Sequence, residues 1–180
     1  MSSRTLPALP NRRTLLLAAS ALVAGPLLAR TASDKPLLEI WKDPQCGCCQ
    51  LWVEHLQANG FAVQVHDVGN TAARQRLGMP QKLGSCHPAR VAGYVIEGHV
   101  PASDIHRLLR DKPQALGLAV PGMPIGSPGM DGPEYKGRKD PYAVLLVQRD
   151  GSTRTFSLYP GDRPMAMHRP VDMHTQGPSA

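Results

Sequence analysis

The chain has 180 residues, 20 Lys and Arg against 14 Asp and Glu, and a net charge of +6, a length that holds one domain with a real core and little more. The basic excess is uneven: four arginines and no acid lie in residues 1–33, leaving 16 basic and 14 acidic side chains beyond them, net +2. That near-neutral remainder, with no basic cluster interleaved with aromatics, excludes a nucleic-acid footprint.

In chain order, residues 1–33 read as an export signal rather than part of the fold. Arg12-Arg13 leads into TLLLAASALVAGPLLA, apolar but short of a comfortable membrane span, and small residues gather around Ala29–Ser33. The paired arginines are compatible with the Tat route. An uncleaved anchor is the competing reading, which the short apolar stretch disfavours. The expectation is a periplasmic protein with no membrane attachment after cleavage, one domain over 34–160, and a disordered Met/His tail over 161–180.

The domain opens with LLEIW (37–41), an apolar run that predicts a buried strand. Asp43-Pro44 breaks it. A helix follows from Cys46 or Cys48, with Leu51, Trp52 and Leu56 near one face and Asn59-Gly60 as its stop. Phe61, Val63 and Val65 alternate with Ala62, Gln64 and His66, predicting a half-buried strand. Asn70 is placed to cap a short helix over TAARQRLG. VAGYVIEG (91–98) reads as a third strand, and SDIHRLLRDK from Ser103 as a helix with Ile105, Leu108 and Leu109 on its apolar side. Residues 113–141 carry six prolines and six glycines without periodicity, either an ordered functional loop or a loose insertion. PYAVLLVQRDGSTRTFSLY (141–159) predicts a hairpin turning at Asp150-Gly151. A strand–helix–strand unit needs a crossover and hence parallel strands. The predicted class is α/β: a thioredoxin-like mixed sheet flanked by helices, with a Pro/Gly-rich inserted loop and a C-terminal β-hairpin.

The segment KDPQCGCCQLWV packs Cys46, Cys48 and Cys49 into the start of the first helix. Unpaired N–H groups and the positive end of the helix dipole favour thiolate over thiol there. Thiolate both attacks disulfides and binds metal, so number and spacing must separate the roles. Cys46-x-x-Cys49 has the spacing of an exchange pair, attacker and resolver. Cys48 lies between them and can divert any mixed disulfide. Cys86 comes just before the third strand, a segment that a thioredoxin-like fold lays against the cysteine turn, so four thiols are expected to converge. Two structural disulfides would suit an exported chain. They would also have to close one short loop inside the cluster, where neighbouring Cys48 and Cys49 pair poorly.

Zinc typically takes two separated knuckles, and this chain has no second one; four thiolates around one Zn(II) also leave a double negative charge to bury. Soft Cu(I) accepts two or three thiolates, and several Cu(I) ions bridged by the same sulfurs approach neutrality. The physical preference is a multinuclear Cu(I)–thiolate centre on Cys46, Cys48, Cys49 and Cys86. Met123 and Met130, in VPGMPIGSPGMDG, are accessory candidates because thioether is a copper ligand; the plainer reading is that Met fills gaps. The tail adds Met165, Met167, His168, Met173 and His174. His87 is an accessory ligand or proton relay, weighed against a local hydrogen bond, and His99 in GHVP is a weaker case of the same. Lys42 and Asp43 read as solvent-facing, and Trp52 as core.

At CGCC, SCH, GYVIEGHVPASDIHRLL and LAVPGMPIGSPGM the chain resembles the CopG type, periplasmic proteins encoded beside bacterial copper-resistance genes, over roughly Leu37 to Tyr159. The resemblance implies a thioredoxin-like fold, a copper–thiolate cluster on Cys46, Cys48, Cys49 and Cys86, and a redox role in periplasmic copper handling, with other copper-resistance proteins as partners. It carries no ligand role onto Met123 or Met130. Ordinary thioredoxins place a cis-proline before the third strand. Aligned on VAGYVIEG, that position falls at Ala92 or its neighbours, so the proline is expected to be missing, which favours metal binding over general disulfide exchange. Two other functions stay open: a thiol–disulfide oxidoreductase using Cys46 and Cys49, and a passive copper chaperone or store.

Overall fold

The computed structural model describes residues 35–162. The export signal over 1–33 and the Met/His tail beyond 162 lie outside the described residues. In chain order the described elements are β1 (Leu37–Trp41), α1 (Gly47–Ala58), β2 (Ala62–His66), α2 (Thr71–Leu77), β3 (Pro88–Val91), β4 (Tyr94–Glu97), α3 (Ala102–Asp111), β5 (Gly117–Ala119), β6 (Tyr142–Val147) and β7 (Thr153–Tyr159). The strands join in one mixed sheet, ordered β2-β1-β3-β4-β5-β6-β7. β1 and β2 are parallel, as the helix between them requires. β4 and β5 are the other parallel pair, joined through α3. The remaining pairings are antiparallel, including the predicted hairpin β6–β7. The fold is therefore α/β with a mixed sheet and helices, and among the described residues no helix is long and apolar enough to cross a membrane.

Alternation along the strands sorts the core onto two faces. Leu38, Ile40, Ala89, Val91, Ile96, Leu118, Val144 and Leu146 face one way, under Trp52, Val53 and Leu56 of α1 and Ile105 and Leu108 of α3. Val95, Ala119 and Val147 face the other way, against Met79 and Leu83 from the segment after α2. Leu51, placed on the apolar side of the first helix from sequence, is exposed. The helix turns its Trp52–Val53–Leu56 stripe inward instead.

Two expectations are corrected and one open alternative is decided. The third strand is a hairpin: β3 pairs with β4, Val91 opposite Tyr94, and the chain turns at Ala92-Gly93, both with positive φ (46° and 86°). A two-residue turn with both φ positive matches the twist of the strands it joins, and glycine accepts that conformation without strain. The third strand thus begins at Pro88, and Ala92 is in a turn. The residues before that strand are Cys86 and His87, and none of the described peptide bonds is cis. Second, the Pro/Gly stretch is ordered and contributes a strand: β5 is fully buried between β4 and β6. Past it the loop folds on itself, Gly126 N–H donating to Met130 O (2.7 Å) and Asp140 N–H to Ile125 O (2.8 Å). Third, the last helix starts at Ala102, after Pro101.

Because Leu118 is fully buried in the short central strand β5, Leu118→Ala is expected to lower unfolding stability by about 2–5 kcal/mol in urea denaturation. A loose insertion would lose almost nothing.

Candidate metal centre

The strand registers decide what meets at one end of the sheet. Ile40 lies opposite Ala89, Pro88 opposite Glu97, and Glu97 opposite Ala119. The end of β1, the start of β3, and the ends of β4 and β5 therefore coincide. The segments leaving there carry Cys46–Cys49, Cys86-His87, His99 and the loop 120–130.

Cys46 caps α1 with an extended backbone (φ −77°, ψ 93°), and its carbonyl accepts the N–H of Gln50 (3.3 Å). Asp43 shapes the approach: its carbonyl accepts Cys46 N–H (3.0 Å) and its carboxylate accepts Gln45 N–H (2.8 Å). Lys42, expected in solvent, is buried instead, its Nζ 2.7 Å from Asp67 Oδ1. The ion pair makes that burial tolerable.

Cys46 and Cys49 are joined by a disulfide, while Cys48 and Cys86 are free thiols. The four sulfurs lie within 4.8 Å of one another, with Cys46 Sγ 3.5 Å from Cys48 Sγ. Cys49 is buried and the other three half-buried. Two sulfurs bound to a single ion at about 2.3 Å each stand at most about 4.6 Å apart, close to the spread of this set.

Cys86 sits on a loop, and side chains hold it. Arg74 of α2 and Glu97 at the end of β4 form a buried ion pair (2.9 Å). Between them Ser85 is clamped: Arg74 Nη2 donates to Ser85 O (2.6 Å), and Ser85 N–H donates to Glu97 Oε1 (2.7 Å). Asn70 does not use its side chain as a helix cap; its amide donates to Cys86 O (2.6 Å). Burial pushes the Glu97 carboxyl up, against the pull of Arg74.

The Cys86 sulfur faces two imidazoles, His99 Nε2 at 2.9 Å and His87 Nδ1 at 3.1 Å. His99 Nδ1 lies 2.8 Å from Pro128 O. A carbonyl only accepts, so Nδ1 holds the proton and Nε2 of the neutral ring accepts from the Cys86 thiol. Burial, reinforced by Cys48, pushes the Cys86 thiol up to about 12. Burial also holds His87 well below its ordinary value, with His99 adding to the effect, and lowers His99. Both rings are thus neutral, the form that binds metal. His87 packs against Trp52 (centroids 4.3 Å apart), whose indole N–H donates to Val100 O (2.9 Å). Trp52 is core, as expected, and also one wall of the site.

The Pro/Gly loop closes over this end through Gly129 (φ 84°). A Cβ there would lie 2.6 Å from Cys48 O and 2.9 Å from Trp52 N, so only glycine lets the loop touch the helix start. Met130 is 8% exposed, and its sulfur takes the Tyr135 hydroxyl at 3.6 Å. Met123 is 51% exposed beside Pro121, Pro124 and Tyr142. The structure brings His87 to the thiols and gives Met130 a different partner. Reading from sequence undervalued His99 and missed Arg74 and Glu97. The sequence carried little signal of them, because what returns His99 to the level of Cys86 is the hairpin at Ala92-Gly93.

Comparison with known proteins agrees with this picture. A family model described as a protein of unknown function, DUF411, matches residues 83–130. Two solved structures, both of copper resistance protein CopG, superpose with a TM-score of 0.65. "Form 2" is 41% identical and "Form 1" 43%, each match covering 71% of this chain and 100% of the other. No curated protein matches.

Removing Arg74 strands a buried carboxylate, so Arg74→Met is expected to cost about 3–5 kcal/mol of stability, with much of it regained in Arg74→Met/Glu97→Met; urea denaturation of both variants measures this. The histidines set a pH dependence. Unfolded rings take up protons near 6.5, while the buried rings resist until the pH is lower. Their contribution is present above that value and lost as pH falls through the depressed folded values. The melting temperature of the metal-free protein is expected to drop as the pH falls below about 6.5, and to drop less in His87→Phe, which cannot titrate.

Proposed function

The chain belongs to the CopG family of copper resistance proteins, and from this we propose that it is a periplasmic copper-binding protein holding several Cu(I) ions on the thiolates of Cys46, Cys48, Cys49 and Cys86. The observation that carries the reading is the convergence of four cysteine sulfurs within 4.8 Å, from two separate segments of the chain. The donor set fits: soft thiolates suit Cu(I), and bridging spreads their charge over several ions. Its partners are copper ions and other copper-resistance proteins of the same compartment.

The Cys46–Cys49 disulfide extends this to redox chemistry. Two Cu(II) ions accept one electron each from the Cys46 and Cys49 thiolates. The products are two Cu(I) ions and one S–S bond, so charge and electrons balance. Running in reverse, reduction of the disulfide restores the two missing ligands. In this reading the protein interconverts copper oxidation states as well as binding copper, whereas a passive store would keep its thiols. General thiol–disulfide exchange is the second reading, supported by a half-buried Cys46 bonded to a buried Cys49 at a helix start. Cys48, 3.5 Å from Cys46, argues against it, because it competes for any mixed disulfide.

Anaerobic titration of the reduced protein with Cu(I) is expected to bind clearly more than about one ion per chain, with X-ray absorption showing copper–sulfur and copper–copper distances. Cys86→Ala should lower that stoichiometry; binding of less than one ion would sink the cluster. Thiol counting after Cu(II) addition separates turnover, in which two thiols vanish, from storage. Insulin reduction that survives Cys48→Ala and Cys86→Ala would favour exchange.

A further inference from the structure

We propose that Cys86, His87 and His99 form a mixed thiolate–imidazole site for a single divalent ion of borderline softness, and that this site stays available while Cys46 and Cys49 are bonded to each other. It rests on the metal-handling reading above, but on a different set of donors. Closing the disulfide takes two sulfurs out of the four-cysteine set. It takes nothing from the second cluster, whose three donor atoms lie within 4.8 Å of one another and include neither bonded cysteine.

Two ring nitrogens converge on the one Cys86 sulfur. Nε2 of His99 (2.9 Å) and Nδ1 of His87 (3.1 Å) both face the sulfur, and the thiol carries one proton. A cation in place of that proton serves both nitrogens and the sulfur at once, and the displaced proton leaves to solvent. His99 is already set as a ligand: its Nδ1–H is tied to Pro128 O (2.8 Å), which aims Nε2 at the sulfur. Such a bond from the far nitrogen to a backbone carbonyl is the usual support of a metal-binding histidine. His87 is fully buried and its Nε2 has no partner among the described residues, so its ring is not placed there to satisfy that nitrogen. Donor–ion bonds of about 2.0 Å for nitrogen and 2.3 Å for sulfur require only a small widening of the cluster. One sulfur and two imidazoles suit ions of the Zn(II), Co(II) or Cu(II) class, whereas the all-thiolate set suits Cu(I). Half-buried Cys86 gives the ion a way in.

Co(II) is a spectroscopic probe, with near-ultraviolet thiolate-to-metal absorption and visible d–d bands when a thiolate binds it. Protein with the Cys46–Cys49 disulfide closed, and two free thiols verified, is expected to bind about one Co(II) per chain with that absorption. Cys86→Ser should abolish the band. His99→Asn keeps a side-chain N–H for Pro128 but removes Nε2, and should weaken binding roughly tenfold or more while the fold persists by circular dichroism. Absence of the band in the wild-type protein, or a band unchanged in His99→Asn, overturns the proposal. Cu(I) uptake by the reduced wild-type protein, measured alongside, reports failure of the four-thiolate reading separately.

Discussion

The arrangement at the sheet end depends on one buried ion pair. Arg74 and Glu97 are both almost fully buried, and they meet around the backbone of Ser85. Loops have no ladder to satisfy their peptide groups, and buried groups left unpaired are costly. Here the guanidinium takes one carbonyl, the carboxylate takes one N–H, and Asn70 takes the carbonyl of Cys86 itself. A buried pair of this kind repays its desolvation only when its geometry is complete. Cys86 is therefore carried toward helix α1 by a rigid polar bracket, with a sulfur position set by residues on α2 and β4.

Around that sulfur the protein places two kinds of donor. On one side are the cysteines of the helix start; on the other are two neutral, buried imidazoles. Softness separates them: thiolates for monovalent copper, a thiolate with nitrogens for borderline divalent ions. The disulfide removes donors from one side only. In the proposed reading, redox state and metal preference are linked through the shared Cys86 sulfur. The Pro/Gly loop supports both sides, since Pro128 orients His99 and Gly129 rests on the carbonyl of Cys48.

Much of the frame was legible in the residues. LLEIW, the helix pattern after the cysteines, the half-buried strand that follows, and the terminal hairpin all appear close to where periodicity puts them. What misled was local. VAGYVIEG has the composition of one strand, and Ala92 gives little warning that it adopts a positive φ. β5 is three residues long inside a proline-rich stretch, too short to show a period. Lys42 and Arg74 look like surface charges until Asp67 and Glu97 are seen to meet them.

By itself, the sequence determined the donor set: three cysteines at a helix start, a fourth before a strand, and soft donors in number beyond what an exchange pair needs. Tertiary structure alone decided which imidazoles reach the sulfur, which charges are buried, and which loop covers the site. The reason is that these depend on strand register. Pairing Pro88 with Glu97 is what sets His99 beside Cys86 and Glu97 beside Ser85. Register belongs to the assembled sheet, where a shift of one residue would turn Glu97 to the opposite face and move the segment carrying His99 away from Cys86.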